Sequence, residues 1–435
     1  MTQAETQLSF EQDSFDAFVA DRAEPDWIVD QRRAAWQQFS EMDWPSRRSE
    51  EWQRTDIRMF KLDKFQLPNG ESTELDLPAP MLGAGVELAG QVRSVNGLAL
   101  ESELADECRE KGVIFTSLDQ ALRDQPDWLS NHLFKASIPA SYDRFAALHQ
   151  ACWTASQVLY VPRNVSIANP FLIQSLIGDG GSDFGHTLVV LDEGAEATLL
   201  AETASLGSGD GLHCGGIEIS LGARSHLRYV NLQDWNDRTW HFAHQQATIG
   251  QDANLQWTVG ALGARLAKVN QSVVLDAPGA DCQVNGVMFT EDKQHFAYHT
   301  LQHHKAHSCH SDFLYKAALQ DKSRTVWRGM IKVDKPAQKT DGYQRNDNLL
   351  LSSQARADAI PGLEIEADDV RCTHGSTTGR VDEELIFYAQ CRGFTRREAI
   401  RAIVTGFFQQ VFDRITIDSV RDALGEAIAR RVRDY

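Results

Sequence analysis

Apolar residues recur along this chain at two different periods, and the changes of period divide it into parts. In the first part Trp27, Ile28, Ala35, Trp36 and Phe39 return at helical spacing, which predicts helix between about Phe15 and Phe60 with a break at Pro45. Ser46–Glu50 can cap a following helix. Residues 1–10 read as disordered, and residues 66–90, rich in Pro, Gly and Leu, as an irregular connection. Val92–Gly97 reads as a strand ending in a turn. Leu100–Lys111 and Leu118–Phe134 read as helices with the strand Gly112–Thr116 between them, and helix Tyr142–Ala155 leads into strand Val158–Val161. Residues 1–157 are therefore expected to form a mainly helical N-terminal domain.

Beyond Val158 the period drops to two, and alternating strands separated by Gly/Asp turns continue for about two hundred residues. Four segments share one form: VVLDEGAEATLL (Val189–Leu200), ISLGARSHLRYV (Ile219–Val230), ATIGQDANLQWT (Ala247–Thr258) and VVLDAPGADCQV (Val273–Val284). Their marker residues Leu191, Leu221, Ile249 and Leu275 are spaced by 30, 28 and 26, and Leu319 and Leu351 resume the pattern. A repeat of this length without a helix favours a parallel β-helix, in which stacking supplies the core that a single coil lacks. An antiparallel sandwich of hairpins is the alternative. The mainly β core is expected over residues 158–381, with helical segments capping its ends.

From residue 382 to 435 the period returns to 3.6. Asp382 caps a helix Glu383–Arg392 that Gly393 ends, and Thr395 with Glu398 makes a capping box. The next helix carries Ile400, Ile403, Val404, Phe407, Phe408 and Val411 on one face, more apolar surface than a lone helix leaves to water, so part of it is expected to pack on the solenoid and the remainder to dock a partner. A last helix starts near Asp418.

With 435 residues the chain exceeds one ordinary compact core. A net charge of -18 argues against nucleic acid and anionic lipid as partners. The N-terminal residues lack the pattern of a signal peptide, and no apolar run is long enough to span a bilayer, so a cytoplasmic location is expected. Seven scattered cysteines, none in a C-x-x-C pair, fit reduced thiols better than a disulfide framework.

No nucleotide-binding glycine loop or nucleophile elbow is present, so any energy input has to come from a partner. Residues 295–310 gather His295, His299, His303, His304, His307, Cys309 and His310. On a strand His299 and His303 share a face and His304 lies opposite, so they cannot all bind one ion, and a polar solenoid face is favoured. Cys372 and His374, at i and i+2, put a thiol and an imidazole side by side, but two ligands do not complete a metal site. Glu364, Glu366 and Asp368 share a face in period two. They read as a solvated face or as the acidic row of a β-helix carbohydrate-active enzyme.

LEIEADDVRCTHGSTTG (Leu363–Gly379) followed by FYAQCRG (Phe387–Gly393) resembles the SufB/SufD family of iron–sulfur cluster assembly proteins. LYKAALQDKSRTVWRGMIKV (Leu314–Val333), AQKTDGYQRN (Ala337–Asn346), FAALHQACW (Phe145–Trp153), YVPRNV (Tyr160–Val165) and PSRRSEEW (Pro45–Trp52) extend the likeness over nearly the whole chain. The resemblance implies a right-handed parallel β-helix between helical domains. It also implies a non-catalytic scaffold that pairs with SufB and binds the SufC ATPase, with a nascent cluster forming at the SufB–SufD junction. Asn346 stands where SufB-like chains carry a sulfur-accepting cysteine, and Gly375 where they carry a glutamate, so the likeness is to the SufD branch. His374 matches the functional histidine of that branch and Cys372 the cysteine beside it, making both candidate ligands of a transient iron–sulfur cluster or iron. Ala297, His303 and His307 depart from the family pattern. No cofactor is expected to stay on the isolated chain, whether flavin binds is left open, and a self-associating homodimer is the alternative to the heterodimer.

Overall fold

Successive strands of the central region alternate between two ten-stranded sheets, so each coil gives one strand to each. In a computed structural model the chain is described over residues 9–68, 77–154 and 156–433. Most of the segment expected to be disordered, and residues 69–76 of the irregular connection, lie outside the described residues. All pairings from Phe171 onward are parallel, which gives a β-solenoid of about eight turns rather than a sandwich of hairpins.

The repeat has a direct structural counterpart. Leu191 pairs with Leu221, Leu221 with Ile249, and Ile249 with Leu275, one ladder through the second sheet. Leu319 does not continue it. That residue lies in the first sheet, opposite Leu350, and the ladder from Leu275 runs on through His304 and Val333 to Ile365. The turn after this ladder is also stacked. Asn164, Gly194, Arg224, Asp252, Gly279, Ser308 and Lys339 each adopt positive φ, one per coil. Each of these amides donates to a carbonyl in the turn of the next coil, for example Arg224 to Gln251 and Ser308 to Gln338. Short polar residues or glycine suit this left-handed corner, which is why Gly and Asp punctuate the sequence.

The two ends of the solenoid differ. At the N-terminal end Gly90–Val95 joins the first sheet beside Phe171–Ile177 and pairs antiparallel with Leu98–Leu104. The helix expected over Leu100–Lys111 is thus strand up to Leu104 and helix only over Asp106–Glu110. Asn96-Gly97, both at positive φ, form the two-residue turn of a hairpin whose second strand is the alternating LALESEL. Ile114–Ser117 likewise closes the second sheet, antiparallel to Gln157–Val161. At the C-terminal end the last strands, Arg356–Ile365 and Val370–Arg380, have no further neighbour among the described residues.

Helices cover the outer faces. Gln12–Asp21, Asp26–Glu41 and Arg144–Cys152 pack Phe15, Trp36 and Phe145 on Cys214, Phe242 and Leu266 of the second sheet. The expected helix after Pro45 is only a 3-10 turn, Glu50–Trp52. Arg396–Phe412 and Asp418–Arg431 lie on Leu200, Leu232, Phe289 and Leu314 of the first sheet. The Thr395–Glu398 capping box is present.

Candidate functional site

Counting inward- and outward-facing positions along the first sheet places Cys372 and His374. Tyr229, Trp257, Val284 and Phe313 are stacked partners in the interior of the solenoid, followed by Gln344 and then His374. His374 is therefore the last rung of an interior column, yet it is exposed because no further coil covers it. Cys372 ends the neighbouring column, after Cys282, Ser311 and Gly342. It is half-buried against a small apolar cluster that includes Ile331, Val333 and Ala367. Burial pushes its thiol pKa up, which holds it protonated near neutral pH until a metal or a cationic partner displaces the proton. The opposite strand adds exposed apolar residues at the same end, Leu363 (38 %) and Ile365 (40 %), at the ends of the columns that run through Ile331 and Val333.

Below this last rung the polar contacts are internal. Gln344 donates through Nε2 to the Gly362 carbonyl at 3.0 Å and so ties the two sheets together. Asn346 is buried, and its Oδ1 accepts from Asn348 Nδ2 at 2.7 Å. Asp347 accepts from Thr377 Oγ1 at 2.6 Å and lies near Lys316, whose Nζ donates to the Phe407 carbonyl at 2.9 Å. A Cβ on Gly375 would meet Arg345 and Tyr343 only at 3.8 Å, so there is room beside His374.

The other sequence-predicted residues are placed differently. Ile400, Val404, Phe408 and Val411 are fully buried on the outer face of the first sheet, so they are core and not a free docking surface. Ile403 and Phe407 are half-buried beside them. The exposed apolar residues lie on Glu383–Gln390 and the loop after it: Leu385, Phe387, Tyr388 and Phe394. Sequence reasoning passed over them because that helix is short and its apolar residues do not form one stripe. Glu364 pairs with Lys332, but Glu366 and Asp368 lie past the end of the strand, so the acids do not form one row.

The histidines of 295–310 do not share a partner. His299 and His303 face outward and His304 inward. His303 hydrogen-bonds Asp334 at 3.0 Å, His304 bonds Ser311 at 2.8 Å and His310 bonds Asp281 at 2.7 Å. Burial lowers the pKa of His304 to about 4, and the Asp281 hydrogen bond raises that of His310. Cys309 Sγ donates to the Ala277 carbonyl at 3.3 Å, a turn-stabilising contact.

The chain is thus a stacked β-solenoid whose C-terminal rung carries a thiol and an imidazole. Residues 174–407 match the model of the SUF system FeS cluster assembly SufBD core domain, and residues 15–173 that of the SufBD protein N-terminal region. The chain belongs to the SufBD family of iron–sulfur cluster assembly proteins. An iron-sulfur cluster assembly SufBD family protein of Mycobacterium leprae is 33 % identical over 295 residues, covering 66 % of this chain and 74 % of the relative. One from Staphylococcus saprophyticus is 27 % identical over 412 residues, 89 % of this chain and 86 % of the relative. No described helix is long and apolar enough to cross a membrane.

Proposed function

We propose that the chain is a SufD-type scaffold of the cytosol that pairs through its open end with a SufB-type partner and carries a SufC-type ATPase on its C-terminal helices. The observation that carries this reading is the uncovered last rung, where Cys372 and His374 end interior columns that a second solenoid can extend. Free N–H and C=O groups on the two edge strands favour pairing with another chain, and exposed Leu363 and Ile365 favour its burial. At such a junction His374 is a ligand or proton carrier for a nascent cluster, and Cys372 a second ligand once deprotonated. The cluster is cargo and the chain performs no turnover of its own. Asn346 and Gly375 support the SufD-type assignment, since neither can accept sulfur or bind iron.

The test is His374→Ala in cells that depend on this assembly system. Complex yield on a sizing column should stay near wild type while cluster formation collapses. A weakened complex with normal cluster formation would show His374 to be an interface hydrogen-bonding group instead, a loss of about 1–3 kcal/mol.

A further inference from the structure

A groove of about 340 Å³ opens on the outer face of the second sheet, on the far side of the solenoid from the C-terminal helices. It lies between the segment Ile138–Tyr142 and the strands Leu266–Leu275, His295–His304 and Arg324–Val333. Outward-facing Asn270, His299 and Arg328 are direct ladder neighbours and form its polar wall. Ile138, Leu301 and Met330 supply an apolar floor.

Three features of this wall are unusual for a surface that meets only water. Asn270 Oδ1 accepts from Lys268 Nζ at 2.8 Å and lies 3.4 Å from the Tyr142 hydroxyl oxygen, while its Nδ2 donor is buried without a partner. Ser272 Oγ, on the same face, is also buried and unpartnered. Buried donors without partners are rare in native proteins and mark places where a ligand or bound water completes the bonding. The His299 ring lines the groove and makes no hydrogen bond with any described residue. Burial depresses its basicity first, and the charges that then act on it are both cations, Lys268 and Arg328. Glu51, which also lines the groove, accepts from the Tyr142 hydroxyl at 3.1 Å, and Glu50 meets Arg328 through an ion pair that is open to solvent on the glutamate side. Such a pair exchanges readily for a better partner.

We propose that this groove binds a small organic anion, its acid group held by Arg328, His299 and the Asn270 amide and its apolar body lying on Ile138, Leu301 and Met330. A planar guanidinium matches either carboxylate or phosphate, and the volume suits a ligand of single-ring size. The site is independent of the assembly role, because it lies on a covered sheet face and not at the open end.

Titration calorimetry on the full chain tests it, with benzoate and phenyl phosphate as probes and benzamide as the neutral control. At least one anion should bind saturably at one site, and benzamide should not. Arg328→Met should weaken that binding about tenfold or more, and Arg328→Lys should recover part of it, with the circular dichroism spectrum unchanged. Saturation by benzoate alone or by phenyl phosphate alone identifies the acid group preferred. No saturable binding of either anion, equal binding of benzamide, or binding unaffected by Arg328→Met would each overturn the proposal and assign the unpartnered donors to bound water.

Discussion

Asp183 shows how the interior of this solenoid departs from a plain apolar core. Its carboxyl lies inside the coil, with Oδ1 accepting from the Gly185 amide at 3.1 Å and Oδ2 at 3.6 Å from His213 Nε2. Burial raises its pKa from 3.8 to about 7 and lowers that of His213 to about 3. A raised carboxyl pKa means that the folded chain binds this proton more tightly than the unfolded one. The stability associated with it is full below pH 3.8 and is lost as pH rises to about 7. Asp183→Asn keeps the Oδ1 acceptor and removes the titration. Urea unfolding should show the variant gaining on wild type between pH 4.5 and 7.5, by up to ~4 kcal/mol if the whole shift is expressed. A constant difference across that range would place the Asp183 carboxyl in contact with water. His374 differs in kind: the same interior alternation presents it, but at a rung with nothing stacked above.

At the scale of elements, the apolar stripe of Arg396–Phe412 is a packing face on the first sheet, and the exposed apolar residues lie on the helix before it. Phe408 is fully buried beside Val404 and Phe412, so Phe408→Ala should cost about 3–5 kcal/mol in urea unfolding. Phe387, at 68 % exposure, should have no such effect. Phe387→Ser should instead reduce recovery of the ATPase partner in a pull-down while Tm stays within a degree or two of wild type. Retained ATPase binding would move the dock to another surface. The helical period identified this helix and its cap but could not say which partner its face meets, because a stripe that docks on its own sheet looks the same as one that docks on another protein. The coil repeat was legible for a clear reason: Leu191, Leu221, Ile249 and Leu275 are physically stacked, so their spacing is the coil length. Leu319 misled because interior leucines occur on both sheets and spacing alone does not name the sheet. The Leu98–Leu104 strand was hidden behind helix-forming Leu, Glu and Ala, and only the Asn96-Gly97 turn disclosed the hairpin. Cys372 and His374 were legible as a pair on one face, but which face, and that it is the last interior rung, required the coil count from the stacked sheet.

For the whole molecule the deciding property is asymmetry. Short antiparallel strands end both sheets at the N-terminal end and helices lie on both outer faces, whereas at the C-terminal end the parallel coils themselves stop, with Cys372 and His374 on the last rung. Exposed strand edges with apolar flanks are normally avoided in monomers, so this end is where a second chain fits best. Hydrogen–deuterium exchange of the chain, alone and mixed with the proposed SufB-type partner, tests that directly. Amides of Arg356–Ile365 and Val370–Arg380 should gain strong protection in the complex, while Leu98–Leu104 at the closed end should exchange as before. Protection at the closed end with the two terminal strands unchanged would contradict the account.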